Sequence, residues 1–175
     1  MTRLASFLTV SALSLSACTS IGQVPTSKFA TGTLHSANGT LAGTVVIVAA
    51  GDAVTINVTV IDLAKGAHGV HLHTFGTCDG PAFASAGGHL NPHAKQHGSA
   101  NPAGSHLGDL PNLMVDGYGA GSLTAKLSDG RAAVEAALFD ADGTALVIHA
   151  DSDDYKADPG GNSGSRIACA VLKRG

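Results

Sequence analysis

The chain has 175 residues and a formal net charge of −3, with 44% hydrophobic, 13% charged and 4% aromatic residues. This length suits one domain with a substantial core. The hydrophobic share is too high, and the net charge too small, for a disordered chain. The mildly acidic balance also argues against nucleic acid as a partner, since no excess of basic residues could neutralise phosphates. Low charge, 23 Gly and few aromatic residues favour an all-β domain with tight turns.

The first 17 residues have the pattern of an export signal. Arg3 is their only charge, and the apolar run over 4–15 is too short to span a bilayer but suits a signal-peptide core. The run ends in Leu-Ser-Ala-Cys18, which resembles a bacterial lipobox, where the Cys becomes the lipidated N-terminus. An ordinary signal peptide cleaved after small residues is the alternative. We therefore predict a lipoprotein signal peptide over 1–17, a tether over 18–28 and one domain over 29–175.

Export determines how the three cysteines are interpreted. If Cys18 holds lipid, Cys78 and Cys169 remain, and a pair of cysteines in an oxidising compartment predicts a disulfide. Loss of residues 1–17 removes Arg3, so the mature chain carries one positive charge fewer than the full sequence.

Strands dominate the elements predicted along the mature chain. Over 52–60, Val and Ile alternate with Thr and Asn, which is the period-two pattern of a strand with one buried face. Residues 40–50 are predicted to be its hairpin partner across a Gly-Asp turn. An Ala-rich stretch over 131–138 favours a helix by propensity alone. Further strands are predicted over 29–36, 112–127 (interrupted by three Gly), 145–150 and 167–172.

Nine histidines are the first indication of chemistry, because histidine is the commonest metal ligand. If residues 70–73 form a strand, His71 and His73 share one face while Val70 and Leu72 point to the core. Two imidazoles on one face suit two ligands of one metal. Two ordinary surface histidines are the alternative for so short a pattern.

Two long polar segments, 74–110 and 151–165, show no strand pattern, and loops of such length are usually functional or disordered. The first contains His89, His97, His106 and Asp109, and three imidazoles with one carboxylate suit a closed tetrahedral zinc site. A bound metal is one way to order a loop whose ordering costs much entropy. His149 ends an apolar run, where a strand would hold it in a fixed position.

Four motifs make the chain recognisable: Gly69-Val70-His71-Leu72-His73, Gly88-His89-Leu90-Asn91-Pro92, His106-Leu107-Gly108-Asp109-Leu110 and Gly164-Ser165-Arg166-Ile167-Ala168-Cys169. Together they closely resemble the copper–zinc superoxide dismutase family in its bacterial exported form, over residues 31–172. The resemblance implies an all-β Greek-key sandwich, or flattened eight-stranded barrel, with two long functional loops. It also implies an enzyme with copper and zinc cofactors that converts superoxide to dioxygen and peroxide. Such a protein would lie in the periplasm or cell envelope, anchored through Cys18.

The resemblance assigns roles by motif position. It gives zinc its loop ligands and makes His89 an imidazolate bridge to copper, released and protonated when copper is reduced. Arg166 would lie near the open copper position and attract the anionic substrate, because its guanidinium is always charged. Asp153 would link a copper histidine to a zinc histidine, and Cys169 would pair with Cys78. The copper ligands implied are His71, His73, His89 and His149; the zinc ligands are His89, His97, His106 and Asp109.

Other functions remain open at this point, because a fold does not determine a function. One is a non-catalytic periplasmic copper-binding protein on the same fold, which would be expected to lose copper histidines or the arginine. Another is a lipid-anchored structural domain that uses zinc only for stability, which leaves His71, His73 and His149 unexplained. Both a monomer and a homodimer are compatible with the sequence. His68 matches a structural position, and His35 and His93 are predicted to lie on the surface.

Overall fold

A computed structural model describes residues 25–175, so the predicted signal peptide and Cys18 lie outside the described residues. The described chain contains ten strands, one α-helix (α1, Arg131–Leu138) and a short 3₁₀ turn at Ala84–Ala86. The first strand begins at Thr26, so the end of the segment predicted to be a tether belongs to the domain. The strands are β1 Thr26–Ser36, β2 Leu41–Ala50, β3 Ala53–Val60, β4 Gly66–His68, β5 Val70–His73, β6 Leu113–Val115, β7 Gly121–Lys126, β8 Ala145–His149, β9 Arg166–Val171 and β10 Lys173–Arg174.

The strands form one antiparallel sheet in the order β4-β6-β7-β3-β2-β1-β9-β8-β5, with β10 paired to β1. The sheet curves into a nearly closed barrel, which confirms the predicted all-β class. The pairings of β3 with β7 and of β1 with β9 join strands distant in sequence, as in a Greek key. The order has nine strands, whereas the resemblance implies eight and the sequence patterns predict seven. The two strands beyond those seven arise because the glycine-interrupted segment over 112–127 folds as β6 and β7, and because the sequence patterns do not predict the short strand β4.

The period-two pattern of β3 places one face in the core. Val54, Ile56, Val58 and Val60 are all buried, and Ile56 lies opposite Ile47 of β2 in the register. The α-helix matches the predicted range and buries Val134 and Leu138. The N-terminus of the helix has no side-chain cap from its own N-cap residue. Instead, the N–H of Arg131, the first in the helix, donates to Asp52, which is distant in sequence. No helix in residues 25–175 is long and apolar enough to cross a membrane.

Strand pairing places the histidines of β5 and β8 together. In the register, His71 lies opposite Val147 and His149 lies opposite Arg166 of β9. The 74–110 loop leaves β5 and returns across it, with the Leu72 N–H donating to the Gly108 carbonyl at 2.9 Å. As a result, all four residues of β5 are buried, including the two histidines.

A disulfide between Cys78 and Cys169 fastens this loop to β9, as the cysteine count predicts. The two cysteines are 91 residues apart in sequence, so the bond closes a long loop in the unfolded chain. Cross-links of this kind stabilise mainly by restricting the unfolded state.

Reduction of this disulfide should lower the free energy of unfolding of the metal-free protein by about 2–5 kcal/mol. Urea unfolding of the metal-free protein, with and without reductant, measures the difference. A Cys78→Ser/Cys169→Ser double variant is the control, because its stability should already be low and should not respond to reductant. Equal stability of the oxidised and reduced proteins would contradict this role for the bond.

Candidate metal centre

Four imidazoles converge at the ends of β5 and β8. We call this the copper-side cluster: His71 and His73 from β5, His149 from β8 and His89 from the 74–110 loop, each with one ring nitrogen within 4.8 Å of the others. Three buried side-chain nitrogens in the described chain have no hydrogen-bond partner, and all three belong to this cluster: His71 Nδ1, His73 Nε2 and His149 Nε2. Unpartnered buried polar atoms are costly and rare. Their convergence is therefore the arrangement expected of metal ligands.

Each of these three rings is oriented by a bond from its other nitrogen. His73 Nδ1 donates to the Gly87 carbonyl at 2.9 Å, and His149 Nδ1 faces the Gly164 carbonyl at 3.3 Å. His71 Nε2 donates to Asp153 Oδ2 at 2.8 Å. Such bonds fix the tautomer and leave the lone pair of the second nitrogen for a metal.

Three imidazoles of the copper-side cluster, those of His73, His89 and His149, are held neutral. Burial lowers the pKa of His73 to about 2 and that of His149 to about 3, with the charge of Arg166 acting in the same direction. Burial also lowers the pKa of His89 to about 4. Because a metal binds the unprotonated ring, these side chains are ready to coordinate at neutral pH without first losing a proton.

A second group, the zinc-side cluster, surrounds one carboxylate oxygen. Asp109 Oδ1 lies 3.0 Å from His89 Nδ1, 3.0 Å from His97 Nδ1 and 3.1 Å from His106 Nδ1. Ligands about 2.0–2.1 Å from a tetrahedral zinc ion are about 3.3 Å from one another, so these separations are close to those of a zinc site. The cluster contains the four residues predicted from the sequence: His89, His97, His106 and Asp109.

The hydrogen bonding of the zinc-side cluster also calls for a cation. His97 Nε2 donates to Asp153 and His106 Nε2 faces the Lys95 carbonyl, so a neutral ring in either position points a Nδ1 lone pair at Asp109. Burial by itself would lower the pKa of His97, but bonding to Asp153 and the charges of both aspartates raise it above its ordinary value. Burial would raise the pKa of Asp109, yet bonds from His89 and Gly98 hold it well below its ordinary range. The donor set thus combines an anion with lone pairs and suits zinc.

The two clusters share His89. Its Nδ1 faces Asp109, its ring stacks on His71 with centroids 4.0 Å apart, and it belongs to both groups of ligand atoms. His71 also lies within reach of His97 and Asp109. However, its Nε2 is bonded to Asp153 and its Nδ1 lies in the copper-side cluster, whereas His106 Nδ1 lies 3.1 Å from Asp109 Oδ1.

Asp153 connects the clusters a second time. Its Oδ2 accepts from His71 Nε2 at 2.8 Å and its Oδ1 accepts from His97 Nε2 at 2.9 Å. Burial would raise the pKa of Asp153, but these two bonds hold it below its ordinary value. Gly161 makes room for the carboxylate, because a Cβ there would lie 1.9 Å from Oδ1.

Arg166 is fixed beside the copper-side cluster by main-chain carbonyls. Its guanidinium donates to Phe83 and to Gly87, each at 2.6 Å. The Gly87 oxygen also accepts from His73, so one carbonyl orients both a copper-side ring and the arginine. Arg166, His73, His89 and His149 line an open groove of about 570 Å³. A small anion entering this groove meets the guanidinium and the histidines together.

Sequence reasoning did not find several residues that support this arrangement. The carbonyls of Phe83 and Gly87 act through the main chain, which leaves no mark in the residue type. Asn112 and Tyr155 bond to Asp153 and to each other, and neither belongs to a recognisable motif. His35 and His93 lie on the surface as predicted; His93 Nε2 bonds to Asp129 Oδ2 at 2.7 Å, away from both clusters.

Comparison with known proteins agrees with the geometry. The family model for copper/zinc superoxide dismutase matches residues 41–172. The chain belongs to the copper/zinc superoxide dismutase family. Copper and zinc are the cofactors of this family, and the two donor sets fit them.

Relatives of the family cover different shares of the chain. Superoxide dismutase (Cu-Zn) 1 of Aquifex aeolicus is 48% identical over 108 residues, 59% of this chain and 62% of that protein. The Caulobacter vibrioides superoxide dismutase (Cu-Zn) is 37% identical over 152 residues, 82% of this chain and 85% of that protein. The crystal structure of a SOD-like protein from Bacillus subtilis has a TM-score of 0.77 at 35% identity, covering 84% of this chain and all of that one. The match thus spans less than two thirds of the Aquifex protein.

Replacement of Asp153 by Asn should weaken the binding of both metals by about 10–100-fold, because an amide cannot accept hydrogen bonds from both rings. Titration with competing chelators measures the two affinities. Asp154→Asn is a matched control, since the neighbouring carboxylate is exposed and bonds only to its own loop. Unchanged affinities in the Asp153 variant would contradict the linking role.

Proposed function

We propose that the chain is a copper–zinc superoxide dismutase that converts superoxide to dioxygen and hydrogen peroxide. The observation that carries the proposal is the convergence of three unpartnered buried imidazole nitrogens beside an arginine held by the same carbonyl as one of them. Copper, when bound, supplies the one-electron chemistry that superoxide requires. The proposed copper ligands are His71, His73, His89 and His149, and the proposed zinc ligands are His89, His97, His106 and Asp109.

Other side chains of the protein bind the anion, hold a proton and position the shared ring. Arg166 binds the anion at the groove, and its fixed fork of donors gives the anion one position. His89 directs Nδ1 to the zinc-side cluster, which leaves Nε2 on the copper side, where the ring would hold either a metal or a proton. The zinc-side residues order the 74–110 loop and hold this shared ring in place.

A non-catalytic copper-binding protein is the second candidate. Such a protein could keep the copper-side histidines, so the cluster by itself is compatible with this role. It does not need a guanidinium fixed by two carbonyls at the open side of the cluster. The position of Arg166 therefore favours catalysis on an anion.

Removal of His149 should separate the roles of the two metals. His149→Ala should abolish dismutation and copper binding while zinc binding stays close to the original, because His149 belongs only to the copper-side cluster. Asp109→Ala should instead weaken zinc binding, with a smaller loss of activity at neutral pH. Metal content and superoxide-dependent activity of the purified variants measure both effects. An active His149 variant, or equal and complete losses in the two variants, would contradict the assignment.

Charge reversal at Arg166 tests the substrate. The mature chain is acidic and the proposed substrate is an anion, so attraction depends on local positive charge, which Arg166 supplies with help from Lys156 in the 151–165 loop that precedes it. Arg166→Glu should lower kcat/KM by at least about tenfold, and the decline of the rate with added salt should disappear or reverse. Metal content should not change.

The control for this charge change is Lys28→Glu, which alters the net charge equally at an exposed position at the start of β1. Its kcat/KM should stay within about twofold of the original. An Arg166 variant as active as this control, with an unchanged salt dependence, would remove Arg166 from the mechanism.

The proposal includes export and a lipid anchor at Cys18, in the periplasm or cell envelope. The Leu-Ser-Ala-Cys18 sequence supports it, and so does the Cys78–Cys169 disulfide, because structural disulfides are typical of oxidising compartments.

Replacement of Cys18 by Ser should block lipidation, so that unprocessed precursor accumulates. Metabolic labelling with a fatty acid and the mass of the chain measure the outcome. Cys78→Ser is the control, since it changes a cysteine without touching the lipobox and should leave labelling intact. A Cys18 variant that is processed and labelled normally would refute the anchor.

A further inference from the structure

Tyr155 contacts both long loops through three of its polar atoms. Its N–H donates at 2.6 Å to Asp153 Oδ1, the same oxygen that accepts from His97. Its carbonyl accepts from the N–H of Ala100, in the 74–110 loop, at 2.9 Å. Its phenol oxygen accepts the N–H of Asn112 at 2.7 Å. One side chain and its own peptide groups therefore join the two loops beside the zinc-side cluster.

Asn112 completes a ring of hydrogen bonds back to Asp153. Its Nδ2 donates to the Asp153 carbonyl at 2.9 Å, and its Oδ1 accepts the Asp153 N–H at 2.8 Å. Both main-chain polar groups of Asp153 are thus held by one amide side chain. Because Tyr155 bonds to Asn112 and to the Asp153 carboxylate, it supports the carboxylate from two directions.

The backbone of Tyr155 is in a conformation that such residues rarely adopt. Its φ is 60°, in the left-handed region, which persists for a bulky residue only where the surroundings determine it. Gly98 packs against it so closely that a Cβ at Gly98 would lie 2.1 Å from the Tyr155 carbonyl oxygen. The N–H of Gly98 donates to Asp109 Oδ2 at 2.9 Å, so this contact leads directly into the zinc-side cluster.

From these contacts we infer that Tyr155 is a positioning residue that couples the two metal sites by holding Asp153 between His71 and His97. The inference rests on the metal assignments of the proposed function. Binding of zinc at His97 orders the carboxylate that orients His71, and binding of copper at His71 acts in the reverse direction. By linkage, each metal then changes the affinity for the other by the same factor.

Loss of the phenol oxygen in Tyr155→Phe leaves the Asn112 N–H without its acceptor and loosens Asn112 against Asp153. We expect zinc to bind about tenfold more weakly, in the lower part of the range for groups that orient metal ligands. We also expect the factor by which bound copper strengthens zinc binding to fall several-fold. A change in the visible or paramagnetic resonance spectrum of bound Cu(II) should accompany it, since His71 is less firmly oriented.

The experiment measures zinc affinity by chelator competition in the whole mature protein, with the copper site empty and with it filled. Tyr118→Phe is the matched control, because Tyr118 is the only other tyrosine and is 93% exposed in a turn. Asn112→Ser removes the amide that bonds to the main chain of Asp153 and should reproduce the loss of coupling. This second variant distinguishes the proposed role from a folding defect that is specific to Tyr155→Phe.

Two outcomes would overturn the inference. One is a Tyr155→Phe protein whose coupling factor equals that of Tyr118→Phe while Asp153→Asn loses it. The other is zinc binding weakened equally with and without copper, which is the sign of a merely structural role. Failure of the metal assignments is distinct from both, because His97→Ala would then bind zinc as tightly as the original protein.

Discussion

A buried carboxylate with both oxygens bonded to imidazoles is the interaction on which the rest of the centre depends. Asp153 holds His71 on the copper side and His97 on the zinc side at ordinary hydrogen-bond distances. Each bond commits one ring nitrogen and thereby turns the other toward a metal. Since an unpaired buried carboxylate would be very costly, the position of Asp153 and the tautomers of both rings determine one another.

The fold positions the side chains of this centre in two ways, by strand pairing and by loop contacts. Strands β5 and β8 place His71, His73 and His149 with the accuracy of a hydrogen-bonded register, because all three lie on paired strands. The zinc-side residues lie on loops, which are held by main-chain bonds to β5, by the disulfide and by the contacts of Tyr155. The three strand histidines are therefore held more rigidly than the loop residues, which gain most from a bound ion.

Features that repeat along the chain could be predicted from the sequence, and features made by tertiary contact could not. The alternation over 52–60 specifies β3 because each residue type reports the face it occupies. The histidine motifs and the cysteine pair carry their chemistry in the residue type. In contrast, the cap of the helix comes from Asp52 across the fold, and the roles of Tyr155 and Asn112 depend on loops that meet only after folding. The main-chain acceptor at Gly87 could not be predicted from the sequence either, since every residue has a carbonyl.

Electrostatics explain how an acidic chain could serve an anionic substrate. The formal charge of the sequence is −3, so the field of the whole protein opposes the approach of the proposed anionic substrate. At the centre the balance would differ once copper and zinc were bound, because two divalent ions would outweigh the carboxylates of Asp109 and Asp153, and the charge of Arg166 would add to them. Burial lowers the pKa of Arg166, but a guanidinium remains charged at any physiological pH. The groove beside His73 and His149 therefore attracts the anion only over a short range, and most strongly when both metals are bound. In the proposed enzyme, metal loading and substrate attraction are two consequences of the same arrangement of side chains.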